Sequence, residues 1–147
     1  VAAAPKPSAA PCGSCPYRKD VPSGVWHEDE YKKLIQYDGD ILDQLKKGGT
    51  ALFMCHQNDG HLCAGWAGCH DTSNLVALRL HDVDPSTFDY ISPVPLFGSG
   101  AEAAAHGMAK IDNPDKRAKA TIKKLARRKA RKARSAGSSG GSRGRTS

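Results

Sequence analysis

Five cysteines fall within 58 residues: Cys12, Cys15, Cys55, Cys63 and Cys69. Cys12-x2-Cys15 is a knuckle spacing, at which two thiolates bind one metal ion while backbone amides of the turn point at the sulfurs. Thirty-nine residues then intervene before Cys55, seven more before Cys63 and five before Cys69. Each cysteine lies beside Gly, Pro or a polar turn residue, as in Pro11-Cys12-Gly13, Cys15-Pro16 and Cys63-Ala64-Gly65. None sits in an apolar helix stripe, so inert buried thiols are a poor account of all five. An odd count argues against a closed disulfide framework, and a small, weakly apolar body needs a staple. A zinc ribbon uses two C-x2-C knuckles, a template the second pair here does not follow. Zinc could also use His56 or His70 in a Cys3His site. An iron–sulfur cluster is larger than one ion, takes four thiolates from scattered loops, and tolerates a ligand followed by proline. Spacing alone leaves zinc and cluster open.

His56 and His70 each follow a cysteine, as ligands or as donors to a sulfur. His27, His61, His81 and His106 lie in polar contexts. Trp26 and Trp66 are candidates for partner contact as well as for core packing. No P-loop, dinucleotide fingerprint, nucleophile elbow or H-E-x-x-H is present, and no strand–helix alternation of a thioredoxin type surrounds the knuckle. The chain is expected not to be an enzyme and to have no small-molecule substrate.

Net charge is +7, unevenly spread. Residues 110–147 carry 14 Lys/Arg and two Asp, a net of +12; residues 1–109 carry eight Lys/Arg and 13 Asp/Glu, a net of −5. Basic side chains concentrate at Lys116, Arg117, Lys119, Lys123, Lys124, Arg127, Arg128, Lys129, Arg131, Lys132 and Arg134, with no acid among residues 116–134. Such a run neutralises phosphates and releases counterions, which gives strong, salt-sensitive binding. It lacks aromatics, so base stacking is not expected from it. Arg143-Gly144-Arg145 resembles the centre of an AT-hook, although Thr146 stands where proline usually follows. DNA, ahead of RNA, is the expected partner through these residues, Arg143 and Arg145 included.

Pro11-Cys12-x2-Cys15-Pro16-Tyr17-Arg18-Lys19-Asp20-Val21-Pro22-Ser23-Gly24-Val25-Trp26 resembles the opening of a small cysteine-rich family of actinobacteria and their phages. Phe53-x-Cys55-His56-Gln57-x-Asp59-Gly60 and Leu62-Cys63-Ala64-Gly65-Trp66-x-Gly68-Cys69-His70 resemble its second half. The resemblance covers roughly residues 11–107 and a family mainly of unknown function. The core it implies, Cys-x-x-Cys-Pro, Cys-His and Cys-Ala-Gly, makes Cys12, Cys15, Cys55 and Cys63 the ligands, with Cys69, His56 and His70 as substitutes or supporting residues. By analogy, the four-cysteine body and basic tail resemble WhiB-like proteins, which carry [4Fe–4S] clusters and dock on the primary sigma factor of RNA polymerase. Here the C-x2-C pair and the Gly24-Val25-Trp26 turn come first, whereas in WhiB-like proteins the pair is central and the turn follows the cysteines. The analogy implies an iron–sulfur transcription regulator that binds DNA and contacts sigma factor or RNA polymerase. A zinc-stapled nucleic-acid-binding module without a redox role is the alternative, and a thiol-dependent enzyme a more distant one.

The elements that must position these residues read as a mainly α, irregular fold: a small metal- or cluster-stapled domain, then a basic C-terminal helix and a disordered tail. Residues 1–11 read as a flexible lead-in, 12–109 as the cysteine-rich domain, 110–135 as the basic helix and 136–147 as a Gly/Ser/Arg tail. Ser23 is expected to cap a helix from Trp26 to Tyr37, and a second helix covers Asp40 to Lys47. Ala51 to His56 reads as a strand. Asp71–Ser73 cap a helix through Leu80, Asp84-Pro85 starts a short turn of helix, and Ser99 with Glu102 forms a capping box for a helix that stops at Gly107. The long helix opens at Asn113-Pro114. Ala118, Ile122, Leu125 and Ala126 should dock its first half, while the second half projects beyond Arg127. No run of about 18 apolar residues exists, so no membrane span is expected. Val1 to Pro11 lacks the regions of a signal peptide, and clustered thiols suit a reducing compartment, so the expected location is the cytoplasm of a bacterial cell, with a phage-encoded gene as one origin.

Overall fold

A computed structural model describes residues 4–146, with side chains as far as residue 135. Six α-helices appear in chain order: α1 (Glu28–Leu34), α2 (Ile41–Lys47), α3 (Ala64–Cys69), α4 (Val76–Leu80), α5 (Gly100–Met108) and α6 (Lys116–Thr146). Short 3-10 turns cover Ile35–Tyr37, Thr72–Asn74 and Pro85–Asp89. The described part is mainly helical and contains no strand, only isolated bridges. None of its helices is long and apolar enough to cross a membrane.

Most helices start where a polar side chain captures a free amide. Asp40 and Asp43 form a reciprocal capping box for α2. Asp71 and Asp84 cap the second and third 3-10 turns, and Ser99 accepts from Glu102 N at α5. Asp115 receives Ala118 N at 2.8 Å and so opens α6. At α1 the cap is His27, whose Nδ1 accepts from Asp29 N, and not Ser23. Ser23 instead clamps the far end of the chain: its Oγ donates to Gly107 O at 3.0 Å and accepts from Lys110 N at 2.9 Å. Gly24 sits beside it at φ +82°, where an added Cβ would come within 2.9 Å of Lys110 O. The Pro22-Ser23-Gly24 turn therefore fixes the α5–α6 connection, a role with no local sequence signal.

The core is small and aromatic. Tyr17, Tyr31, Leu34, Leu62, Trp66 and Leu75 are at most 2% exposed. Trp66 lies over Phe53 with rings 25° apart and meets Tyr37 edge-on. Burying each of these large side chains contributes about 1.5–3 kcal/mol. Trp66, with no exposed surface, is core and not a partner contact, because the ring is enclosed on every side.

Two further expectations change. The segment 51–56 forms no strand; it shares only two main-chain bonds with its return segment, Cys55 N to His61 O and Cys63 N to Phe53 O. The return leg after Asn58–Gly60 is only His61 to Cys63 before α3 begins, which leaves room for the single bridge between Met54 and Leu62. The lead-in over residues 1–11 is not loose where it is described. Leu62 N donates to Lys6 O, Ser8 N to Leu62 O and Asp84 N to Pro5 O, and Pro7 and Ser8 are buried. Residues 1–3 and 147 lie outside the described residues, as do the side chains from 136 on. The tail expected over 136–147 and the proposed contacts of Arg143 and Arg145 fall in that stretch.

Candidate metal centre and basic helix

The four cysteines picked out by the resemblance come together from three separate segments. Cys15 N bonds to Cys12 O at 3.0 Å and closes the knuckle turn. The return at Asn58–Gly60 carries Cys55 and Cys63 back to it. Cys63 is the residue immediately before α3. Cys15 Sγ and Cys63 Sγ are 3.8 Å apart, and the Cys12 thiol contacts both Cys15 and Cys55. The sulfurs thus form a chain in the order Cys55, Cys12, Cys15, Cys63. Three of the four cysteines are buried and Cys12 is partly so.

Glycine at position 65 is what allows this approach. An added Cβ there would land on Cys15 Sγ and within 2.8 Å of Tyr17 Cβ. The Cys63-Ala64-Gly65 sequence therefore lets the first turn of α3 lie directly against the knuckle.

The electrostatics of the cluster pull in two directions. The Cys15 contact raises the Cys12 thiol above the ordinary range, opposed by Cys55 and helped by burial. For Cys15, the Cys12 bond lowers the pKa, but Cys63 and burial outweigh it and hold the thiol well up. Cys55 is pushed up by Cys12 and then by burial. Against these, main-chain amides hydrogen-bond the sulfurs: Ser14 to Cys12, Tyr17 to Cys15, and Gln57 and Asn58 to Cys55. Asn58 N reaches Cys55 Sγ at 3.4 Å. Amides of this kind favour the thiolate. Without a cation the thiols of Cys12, Cys15 and Cys55 stay protonated; a cation that displaced those protons would leave sulfurs that already have amide donors.

The donor set fits a thiophilic ion. With Zn–S bonds of about 2.3 Å, a tetrahedron has sulfur–sulfur edges of about 3.8 Å, the Cys15–Cys63 separation. Among the described residues no group of three or more His, Cys, Asp or Glu side chains is placed so that it could hold a metal ion; the measured sulfur–sulfur approach is that of Cys15 and Cys63.

The remaining candidates are placed apart. Cys69 ends α3, about 9 Å along the axis from Cys63. Burial pushes its thiol up to about 12, with the Asp38 and Glu102 charges adding to it. His70 lies 3.9 Å from Asp38 and meets Tyr17 edge-on; burial lowers its pKa, against the pull of Asp38. His56 lies 3.2 Å from Glu30 and stacks on Trp26 with centroids 5.0 Å apart. Neither histidine hydrogen-bonds a sulfur among the described contacts. Trp26 is half-buried, and its Nε1 donates to Ser14 O inside the knuckle at 2.7 Å.

Helix α6 lies against this loop region. Ala118 is fully buried against Val21 and Val25, and Leu125 packs on the same cluster with Trp26. The seam continues past Arg127, where the sequence suggested that docking ends. Arg128 donates to Gln57 Oε1 at 3.0 Å, and Lys132 reaches both carboxylate oxygens of Asp59 at 3.0 Å. Residues 118, 125 and 132 are seven apart, so apolar and then polar contacts follow one helix stripe. Gln57 also hydrogen-bonds Ser14 between the first two cysteines. Arg117 bonds Asp20 O at 3.0 Å. The other eight basic side chains of Lys116 to Arg134 are exposed and have no acidic partner among the described residues.

No curated protein and no solved structure matches the chain. A family model does match, over residues 7–129, and its span takes in the knuckle, both later cysteine segments and most of the docked part of α6. The chain belongs to that family, a family of unknown function designated DUF6283.

Proposed function

We propose that this protein is a metal-thiolate-stapled nucleic-acid-binding module. Cys12, Cys15, Cys55 and Cys63 hold one thiophilic ion, zinc in the first instance, and α6 grips the phosphate backbone. The observation that carries the reading is α6 itself: eight exposed, unopposed cations on a rigid helix anchored to the loops that bear the sulfurs. From Lys116 to Ser135 the helix is about 30 Å long, enough to span several phosphates of one strand or cross a groove. The short Cys15–Cys63 edge favours a single ion over the larger [4Fe–4S] centre, which holds its thiolates further apart. The ion's chemistry here is structural, since binding free energy becomes folding free energy in a domain with so small a core. Protonated, buried thiols also argue against a thiol nucleophile. A cluster-bearing regulator that contacts sigma factor would use the same four cysteines, and the metal measurement below separates it from the zinc form.

The test uses the full chain purified without oxygen. About one zinc per chain, no visible colour and no acid-labile sulfide are expected. A brown protein with sulfide would replace the ion by a cluster, and metal-free protein with four free thiols and an unchanged Tm would overturn the staple. For the helix, Lys119, Lys123, Lys124, Arg127 and Arg131 are replaced together by Gln. Truncation after Asp112 is less clean, because it would uncover Val21, Val25 and Trp26. Fluorescence anisotropy with a labelled duplex should show weaker binding and a salt slope shallower by about four, near one unit per lost phosphate contact. Unchanged affinity and slope would overturn the nucleic-acid reading.

A further inference from the structure

Helix α6 carries no aromatic residue of its own, but the fold supplies two beside it. Trp26 and His56, 30 residues apart in sequence, lie against each other with centroids 5.0 Å apart and planes tilted by 35°. Across from them run Leu125 and Ala126, and between the rings and the helix lies a cleft of about 370 Å³. Its rim carries Arg128, Lys129 and Lys132.

Both sides of the cleft are held in place. Trp26 is fixed by Nε1 to Ser14 O and by its amide to Tyr31 Oη at 3.0 Å. His56 is held by Glu30 at 3.2 Å. Gln57 and Asp59 position Arg128 and Lys132. Lys129, exposed, has no partner among the described residues. An aromatic wall, an apolar floor and three cations within about one turn of helix form an amphipathic site. It suits a planar ring attached to an anion, and its volume lies in the range of small-ligand sites.

We propose that this cleft binds a nucleotide, with the base stacked on the Trp26–His56 pair and the phosphate held by Lys129 and Arg128. The inference rests on the nucleic-acid reading of α6 and sharpens it. An unpaired base is required, because a ring inside a duplex cannot present its face. The preferred macromolecular ligand is therefore single-stranded, or a duplex with a flipped or frayed nucleotide, with α6 following the adjoining backbone. A free nucleotide shares the same chemistry.

The test uses the metal-loaded full chain. Anisotropy is measured with a labelled dT12 strand and with a 12-base-pair duplex, alongside tryptophan quenching by each and by AMP. Trp66 is enclosed, so ligand quenching reports Trp26. The single strand is expected to quench. His56→Ala, an exposed change that should leave far-UV circular dichroism as it was, is expected to lower the ratio of strand to duplex affinity about tenfold. Trp26→Phe should lower it less, since a smaller ring remains. Quenching by AMP that competes with the strand would assign the cleft to free nucleotides as well; quenching by the strand alone would assign it to polymer. No quenching by any ligand, or an unchanged ratio in folded His56→Ala, would overturn the proposal. A duplex affinity that still depends on the five exposed cations would leave the broader reading standing. Loss of all nucleic-acid binding in the unaltered protein would remove both.

Discussion

The two ends of α3 carry the same residue type in opposite surroundings. At its start Cys63 meets another thiol, Cys15, 3.8 Å away, whose sulfur also accepts from the Tyr17 amide. At its end burial, with the charges of Asp38 and Glu102 adding to it, holds the proton on Cys69. One end gathers thiols, the arrangement the proposed metal site would use. The other keeps a neutral thiol beside an anion that already has work: Asp38 accepts from Gly100 N and Ala101 N at 2.7 Å and so anchors the start of α5. Cysteine followed by histidine occurs at 55–56 and again at 69–70, yet only the first cysteine joins the cluster. The environment, not the dipeptide, decides which sulfur meets other thiols.

The largest expected effect comes from breaking the first end. Cys15→Ala removes the sulfur that links Cys12 to Cys63 and should abolish both metal content and the cooperative thermal transition. Gly65→Ala is a stricter test, because it leaves all four thiols intact. Its methyl group would clash with Cys15 Sγ and with Tyr17 Cβ, both buried, so one of them must shift. A loss of several kcal/mol of stability is expected from such overpacking, read as a fall in Tm and in zinc stoichiometry. Full zinc loading and a native Tm in Gly65→Ala would separate the CAG sequence from the metal centre. At the other end, Cys69→Ala should cost only about 1–2 kcal/mol and leave the metal content unchanged. If Cys69→Ala loses metal and Cys63→Ala does not, the comparison inverts.

Acid should also distinguish the two ends. Burial lowers the His70 pKa in the folded protein, while the unfolded chain titrates near 6.5. Above that value both states are neutral at His70. As pH falls below it, the unfolded state takes up the proton first, so stability is lost progressively until the folded state is protonated too. Protonation of ligand thiolates releases metal in the same direction, so the unaltered protein alone cannot apportion the loss. His70→Gln keeps the metal-dependent part and should show a shallower fall in Tm between about pH 6.5 and 5. Identical slopes would mean that the second end contributes nothing to acid lability.

Much of this arrangement was legible in the residue pattern, and the misses share a cause. The caps at Asp40, Asp71, Asp84 and Ser99 act over two or three residues, so sequence displays them directly. Helix α3 has two glycines in six residues and no cap bond from a side chain, and local propensity argues against it. It exists because Trp66 is enclosed by Phe53 and Tyr37 while Gly65 admits Cys15, both long-range contacts. Ser23 is the same kind of case: a serine before a helix reads as a cap, but its partners Gly107 and Lys110 are more than 80 residues away. The meeting of Cys12, Cys15, Cys55 and Cys63 came from motif resemblance; spacing alone left Cys69 equally eligible. The aromatic cleft beside α6 was hidden for a different reason, since Trp26, His56 and Lys129 belong to three distant segments. A tail without aromatics then looked unable to stack a base.

The smallest expected effect lies on the seam that joins the sulfur-bearing loop to α6. Lys132 and Asp59 are 50% and 81% exposed at their side chains, so water screens the pair. Lys132→Ala should change global stability by no more than a few tenths of a kcal/mol. A more sensitive readout is local: hydrogen exchange of the α6 amides beyond residue 128, where no apolar residue holds the helix down. There the variant should exchange faster, while amides around Ala118 keep their protection, because that turn is held by a buried methyl and not by charge. Raising salt on the unaltered protein should reproduce the pattern, as screening weakens an exposed ion pair and leaves apolar packing intact. Equal acceleration at both places would mean that α6 docks as one unit, with the Asp59 contact governing the whole helix and not only its outer half.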